Sequence, residues 1–302
     1  FLDPACGSGN FLTETYLSLR RLENELLRLR LGKQMIMGAV DPIRVSIGQF
    51  YGIEINDFAV TVAKTALWIA ESQMMKQTEE IVNMNLDFLP LKSYANIVEA
   101  NALLLDWESV VPKDKLNYIM GNPPFVGAMW SKGSQREDIA TVFPECAKPG
   151  QIDYVAGWYA KASKLIVNTN IRCAFVSTNS ICQGQQVGLI WKPLIEIFQI
   201  KFDFAYHTFR WDSEASIKAH VHCIIIGFSH KNVATEKRIY SAGRSSIVDH
   251  INGYLAPAAD IFIEGNRDQI SGMPPMHMGV MARDGGHLIM NEQEYQEYIA
   301  KE

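Results

Sequence analysis

Phe1-Leu2-Asp3-Pro4-Ala5-Cys6-Gly7-Ser8-Gly9-Asn10-Phe11-Leu12 is the stretch that decides the architecture. Two apolar residues run into an acid at Asp3, as in a short buried strand, and a loop of small residues follows. Leu12, Tyr16, Leu19, Leu22, Leu26 and Leu29 then recur at intervals of three and four, which predicts a helix over 10–31 with one apolar face. Gly7 and Gly9 permit close backbone approach and positive φ. The loop N–H groups and the helix start together make an electropositive cradle. An ordinary tight βα turn reads the same way, so the loop alone is weak evidence. Leu12 stands where the dinucleotide fingerprint needs its third glycine, which disfavours a nicotinamide cofactor.

The same unit repeats downstream. Residues 50–55 read as a strand ending in Glu54 and Ile55, and a helix over 57–75 follows with Asp57 as its N-cap. An acid at the end of a second strand commonly accepts hydrogen bonds from ribose hydroxyls; taken alone, Glu54 is equally a solvated strand end. A loop over 76–95 leads to a third strand over 97–100, followed by Asn101-Ala102-Leu103, and the fourth strand spans 116–121. That strand breaks at Gly121-Asn122-Pro123-Pro124-Phe125. Each proline fixes its own φ near −65° and lacks an N–H, and Pro124 pushes Pro123 toward an extended conformation. The result is a stiff platform at the C-terminal edge of a strand, where open α/β sheets bind ligands. An amide oxygen beside a flat ring suits a planar group that carries an exocyclic amine.

Residues 126–150 are polar, with Trp130, Lys132 and Arg136, and a segment of this length without an element of its own suggests a functional loop. A helix over 152–168, a strand over 173–177, a helix over 187–198 interrupted at Pro193, and strands over 200–206 and 221–228 complete the pattern. The connection 207–212 is aromatic and basic. Strand–helix alternation through 228 implies an α/β fold with a doubly wound, mostly parallel sheet. The pattern weakens after 230, so the expected organisation is a catalytic domain over 1–230 and an extension or linker over 231–302.

Of the 302 residues, 48% are hydrophobic, enough to bury a full core. No apolar run approaches the length of about 18 residues that a membrane span needs. The chain begins inside a strand and without Met, as a fragment would. Its five scattered cysteines, with no CxxC pair, read as reduced thiols of a cytoplasmic protein. His220 and His222 share one face of a strand, but no third ligand is evident and no metal is expected. The net charge of −5 argues against DNA affinity spread over the whole surface. It leaves room for a local basic groove or for a DNA-reading domain elsewhere.

The Gly7/Gly9 loop, Glu54 and Asn122-Pro123-Pro124-Phe125 thus fall at the ends of successive strands. Together they resemble the class I S-adenosylmethionine-dependent amino-methyltransferases of DNA, with Asp3–Phe11 as the first motif and Asn122–Phe125 as the fourth. Gln49–Glu54, Asn101–Leu103, Asp153–Trp158 and Asp284–His287 look like the γ-group adenine-N6 enzymes, above all the MmeI-like modification domains of single-chain restriction–modification proteins. That resemblance implies a Rossmann-like, seven-stranded sheet with an antiparallel last strand. It implies S-adenosylmethionine as cofactor, with Asp3, Pro4, Ala5, Cys6, Gly7, Gly9, Asn10 and Phe11 around its methionine part and Glu54 on the ribose. Asn101 would hold the adenine amine, with Ile55 and Ala102 flanking the ring. Phe209 or Trp211 would face Phe125 across the target base. The partner would be double-stranded DNA in a bacterial cytoplasm, read through a target-recognition domain that the chain is expected to lack. An upstream cofactor-binding element is expected to be missing too, leaving a fragment that binds cofactor weakly. No membrane partner is implied, and the oligomeric state stays open.

The chemistry agrees with the residues. The lone pair of an adenine N6 is delocalised into its ring, so the amine is a poor nucleophile. Asn122 Oδ1 and the Pro123 carbonyl, aimed at its two hydrogens, would free that lone pair for in-line displacement at a sulfonium methyl. Positioning and pre-aimed dipoles then supply most of the rate. A base inside a duplex must be flipped out first, and an aromatic platform offsets part of the unstacking cost. Cytosine-C5 chemistry needs a Pro-Cys nucleophile that is absent here. Cytosine-N4, protein glutamine and RNA guanine remain as alternative targets.

Overall fold

The structure is a computed structural model and describes residues 1–31, 43–83, 96–211, 221–231, 236–263 and 289–300. Leu2 and Asp3 form β1, and the glycine loop leads into α1 (Asn10–Leu31). Then come β2 (Tyr51–Glu54), α2 (Asp57–Val82), β3 (Asn96–Glu99) and β4 (Tyr118–Gly121). These are followed by α3 (Gly133–Val142), α4 (Ala156–Leu165), β5 (Arg172–Thr178), α5 (Gly184–Glu196), β6 (Ile200–Trp211) and β7 (Val221–His230). Pro193 sits inside α5 without ending it. The cap of α2 is Asn56 and not Asp57: the Asn56 side chain accepts from the Ala59 N–H at 2.9 Å.

The strands form one sheet in the order β3-β2-β1-β4-β5-β7-β6, extended by β8 (Lys237–Ser241) and β9 (Arg244–Val248). The expected mostly parallel, doubly wound sheet is therefore present, but with nine strands in place of seven. β3, β2, β1, β4 and β5 are parallel, and β7 is antiparallel to both β5 and β6. The two extra strands arise because Ile239, although in a weakly patterned region, is buried against β6. The stretch 207–211, read as a connection, continues β6 past a register shift between Tyr206 and Phe209. From β1 the chain builds outward to β3 and then crosses back to place β4 on the other side of β1. Strand order thus reverses between β1 and β4, the kind of switch point that opens a crevice at the strand ends.

The two faces of the parallel sheet feed two apolar clusters, as a strand's period of two allows. Phe50 and Ile97 pack with Leu12, Tyr16, Val60, Ala63 and Leu67 of α1 and α2. Ile53 and Ile119 belong to the larger cluster with Trp158, Tyr159, Trp191 and Leu194 of α4 and α5. The leucine stripe of α1 departs from expectation. Leu22, Leu26 and Leu29 are exposed, whereas Arg20 and Asn24 are buried. Intervals of three outnumber those of four, so the stripe winds off the packed face along the helix. Polar partners take its place: Arg20 donates to Thr78 Oγ1 at 2.6 Å, and Thr78 donates to Asn24 Oδ1 at 2.8 Å.

The chain divides into two compact units, Phe1–Glu264 and Gly265–Glu302. The second contributes α6 (Glu292–Ile299), started by a reciprocal capping box between Asn291 and Glu294.

Candidate active site

At the switch point the acid of β1 meets the last residue of β4. Asp3 is buried, and its Oδ1 accepts the Ala5 N–H at 3.0 Å. Its Oδ2 is buried without a hydrogen-bond partner among the described residues. Burial pushes its carboxyl up to about 7; the Ala5 N–H opposes this and the nearby Glu54 charge adds to it. Gly121 makes room for the carboxylate, since a Cβ there would collide with Asp3 Oδ1.

The glycine loop is tied on both sides. Gly7 has φ +53° with open space where a side chain would point, and its N–H donates to Glu54 Oε2 at 2.9 Å. Gly9 has φ +83°, and a Cβ would stand 2.9 Å from the Ala63 Cβ of α2. So Gly9 serves helix packing, while Gly7 faces open space. Glu54 Oε1 accepts the N–H groups of Ile55 and Asn56 at 2.9 and 3.0 Å. Cys6 turns away into the α1–α2 cluster. Burial, with the charges of Asp3 and Glu54, raises its thiol far above the ordinary range.

Asn122, Pro123, Pro124 and Phe125 leave β4 at the same edge. Asn122 Oδ1 is buried and has no partner among the described residues. Pro123 is buried, Pro124 is exposed, and Phe125 is half-buried against the larger core cluster. What holds this platform is Asp153, buried just before α4. Its Oδ1 accepts the N–H groups of Val126 (3.3 Å) and Val155 (3.2 Å), and its Oδ2 accepts the Thr178 hydroxyl (2.9 Å). Tyr154 N–H donates to the Val126 carbonyl at 3.0 Å, completing the clamp.

A cavity of about 670 Å³ joins these parts. Pro4, Ala5, Glu54, Ile55, Asn101 and Ala102 line it together with Asn122 and Pro124. Residues proposed for a cofactor and for a target amine therefore share one space. Asp3 and Pro123 are buried beside it, and Asn10 and Phe11 lie at the start of α1. Phe209 is half-buried on β6 and meets Tyr206 edge-on at 5.6 Å. The Trp211 side chain lies outside the described residues, as does His220. Among the described residues no cluster of three or more His, Cys, Asp or Glu side chains could hold a metal ion. Likewise no helix among them is long and apolar enough to cross a membrane.

The sequence reading missed the cavity's other wall. Ser134, Gln135 and Asp138 come from α3, inside the stretch read as a polar loop, and Tyr154 and Trp158 come from around α4. Trp158 is held by donating to the Pro4 carbonyl at 3.0 Å. Tyr154 donates to Asp138 Oδ2 at 2.7 Å. The Asn101 turn is pinned from behind by Trp107, donating to the Ala102 carbonyl at 2.8 Å, and by Lys161, donating to the Leu103 carbonyl at 2.7 Å. Burial lowers the Lys161 ammonium to about 8. A signal for α3 was available in Ile139 and Phe143, one helical step apart and both buried, but Gly133, Ser134 and the surrounding charges masked it.

Comparison with known proteins places this geometry. The family described as the MmeI DNA-methyltransferase domain matches residues 1–241, and the MmeI target recognition domain matches residues 257–302. The second match corrects the expectation that a target-recognition domain would be absent: the poorly patterned segment carries at least part of one. DNA methyltransferase A of Bacillus subtilis (strain 168) is 38% identical over 307 residues, spanning 100% of this chain and 34% of that protein. The solved structure of the type IIL restriction–modification enzyme MmeI in complex with DNA is 40% identical. It superposes with a TM-score of 0.91, spanning 100% of this chain and 41% of that one. The chain thus spans well under half the length of the proteins it resembles.

Proposed function

Because the chain belongs to the MmeI DNA-methyltransferase family, we propose that it transfers a methyl group from S-adenosylmethionine to the N6 amine of an adenine flipped out of double-stranded DNA, at a specific sequence and as part of a restriction–modification protein. The observation that carries this reading is the buried Asn122 Oδ1, unpartnered among the described residues, in a cavity shared with Glu54 and Asn101. A buried acceptor without a partner is costly to maintain, and an amine delivered to it repays that cost.

The residues fit such a cofactor. Asp3 Oδ2, also unpartnered, suits a cationic group. Gly7 leaves open space at the loop. Ile55 and Ala102 offer apolar flanks for a purine, with Asn101 at the same end, and Glu54 offers a carboxylate for ribose hydroxyls. When bound, S-adenosylmethionine supplies a methyl group on a sulfonium, activated for transfer. The chain's own task is to orient the acceptor. Asn122 Oδ1 takes one hydrogen of the target amine and the Pro123 carbonyl the other, which draws the nitrogen toward a pyramidal state. Phe125 stacks on the base, its own ring braced by the core behind it. Asp153 keeps the platform in place through the Val126 N–H.

The test is to incubate the protein with S-adenosylmethionine carrying a labelled methyl group and mixed-sequence duplex DNA, and then to digest the DNA to nucleosides. Label in N6-methyl-2′-deoxyadenosine supports the proposal. Label in N4-methylcytosine, or only in a glutamine peptide supplied in parallel, overturns the choice of target.

A further inference from the structure

The family resemblance implies that Asn101 holds the adenine amine of the cofactor, but the hydrogen bonds of Asn101 point elsewhere. Its Oδ1 accepts the Leu103 N–H at 3.0 Å, closing its own turn, and its Nδ2 donates to Asp138 Oδ2 at 3.3 Å. An amino group arriving at that end of the cavity needs an acceptor, and the amide oxygen of Asn101 already commits one of its two lone pairs to its own turn. Asp138 lines the same cavity from α3. Its Oδ2 receives both the Asn101 amide and the Tyr154 hydroxyl, the latter at 2.7 Å. The two donors fix the carboxylate's orientation through one oxygen, and Oδ1 is the atom they do not use.

Resting on the function proposed above, we infer that Asp138 supplies the hydrogen-bond acceptor for the exocyclic amine of the cofactor's adenine, with Asn101 and Tyr154 as the residues that position it. The arrangement has a chemical logic. A carboxylate has no donor of its own, so it rejects a purine whose exocyclic group is an acceptor, whereas an amide can turn over and accommodate either. The acceptor comes from α3 and not from the strand end, so the cavity recognises the ring only when α3 is folded over it.

Calorimetric titration with S-adenosylhomocysteine, and with the same molecule carrying hydrogen in place of the purine amino group, tests this without turnover. The parent protein should prefer the amino form by roughly tenfold to a hundredfold, the range for a hydrogen bond to a charged group. Asp138→Ala should abolish that preference, weakening the amino form while leaving the other unchanged. Asp138→Asn, which keeps the volume and a neutral acceptor, should retain part of it and guards against simple misfolding of the alanine variant. An equal loss on both ligands would make Asp138 a structural strut and overturn the assignment, as would an undiminished preference in Asp138→Ala. If the parent binds neither molecule, the proposed function itself fails, and this assignment with it.

Discussion

The Asp3 carboxylate fills the space that a side chain at position 121 would need. The contact joins β1 to β4 at the point where strand order reverses, so the first motif and the platform share one packing constraint. Gly121→Ala should therefore destabilise the protein by about 1–3 kcal/mol through overpacking. Asp3→Ala placed in the same chain should recover much of that loss, because the obstructing atoms are then gone. Thermal denaturation of the two single variants and the double variant checks this; strict additivity would rule out a direct clash.

Asp3 also predicts a pH dependence. Its folded carboxyl titrates at about 7 against an ordinary value of 3.8. Between those values the folded state binds more protons than the unfolded state, so stability falls as pH rises from about 4 to about 7 and then levels. A ligand that brings a cation to Oδ2 favours the ionised form and expels the proton. Binding of S-adenosylmethionine near pH 6 should release protons, measurable by calorimetry in two buffers of different ionisation heat. The release should vanish in Asp3→Asn.

Asn122→Ala should abolish methyl transfer while sparing cofactor affinity. In the free protein it should be neutral or slightly stabilising, because it deletes a buried acceptor that has no partner among the described residues. Lost affinity for S-adenosylhomocysteine, or a clear drop in melting temperature, would mean that Asn122 serves the fold.

Phe125→Ala should lower turnover less on DNA with an unpaired target adenine than on a paired one, because an unpaired base costs less to unstack. Matched duplex and mismatch substrates, compared by initial rate, decide it. Equal losses would place Phe125 outside base extrusion.

What could be read from the residues, and what could not, divides along physical lines. β1, β2 and β4 were legible as apolar runs ended by Asp3, Glu54 and the two prolines, each a local signal. The glycine loop and the Asn122 platform were legible for the same reason: strained or stiff backbone demands particular residues at fixed spacing. Asp138 and Asp153 were not, because their roles exist only once α3 and α4 fold back over the strand ends. The buried Arg20–Thr78–Asn24 set defeated the helical pattern in the same way, since its partners lie on different helices. β9 was missed because an edge strand buries few side chains and its residues run exposed, and β8 because Ile239 is its one buried apolar side chain, too little for a period-two pattern.

The five cysteines were read as reduced thiols; all five are free and buried, and one of them serves as a clock. Cys6 sits within the glycine loop, its sulfur tucked against Gly52, where a Cβ would stand 2.8 Å away. With its proton held so firmly, an alkylating reagent meets a reactive thiolate there only when the loop lifts off β2. Modification at Cys6 therefore counts loop openings, and a molecule lodged over Gly7 would slow the count without touching the sulfur.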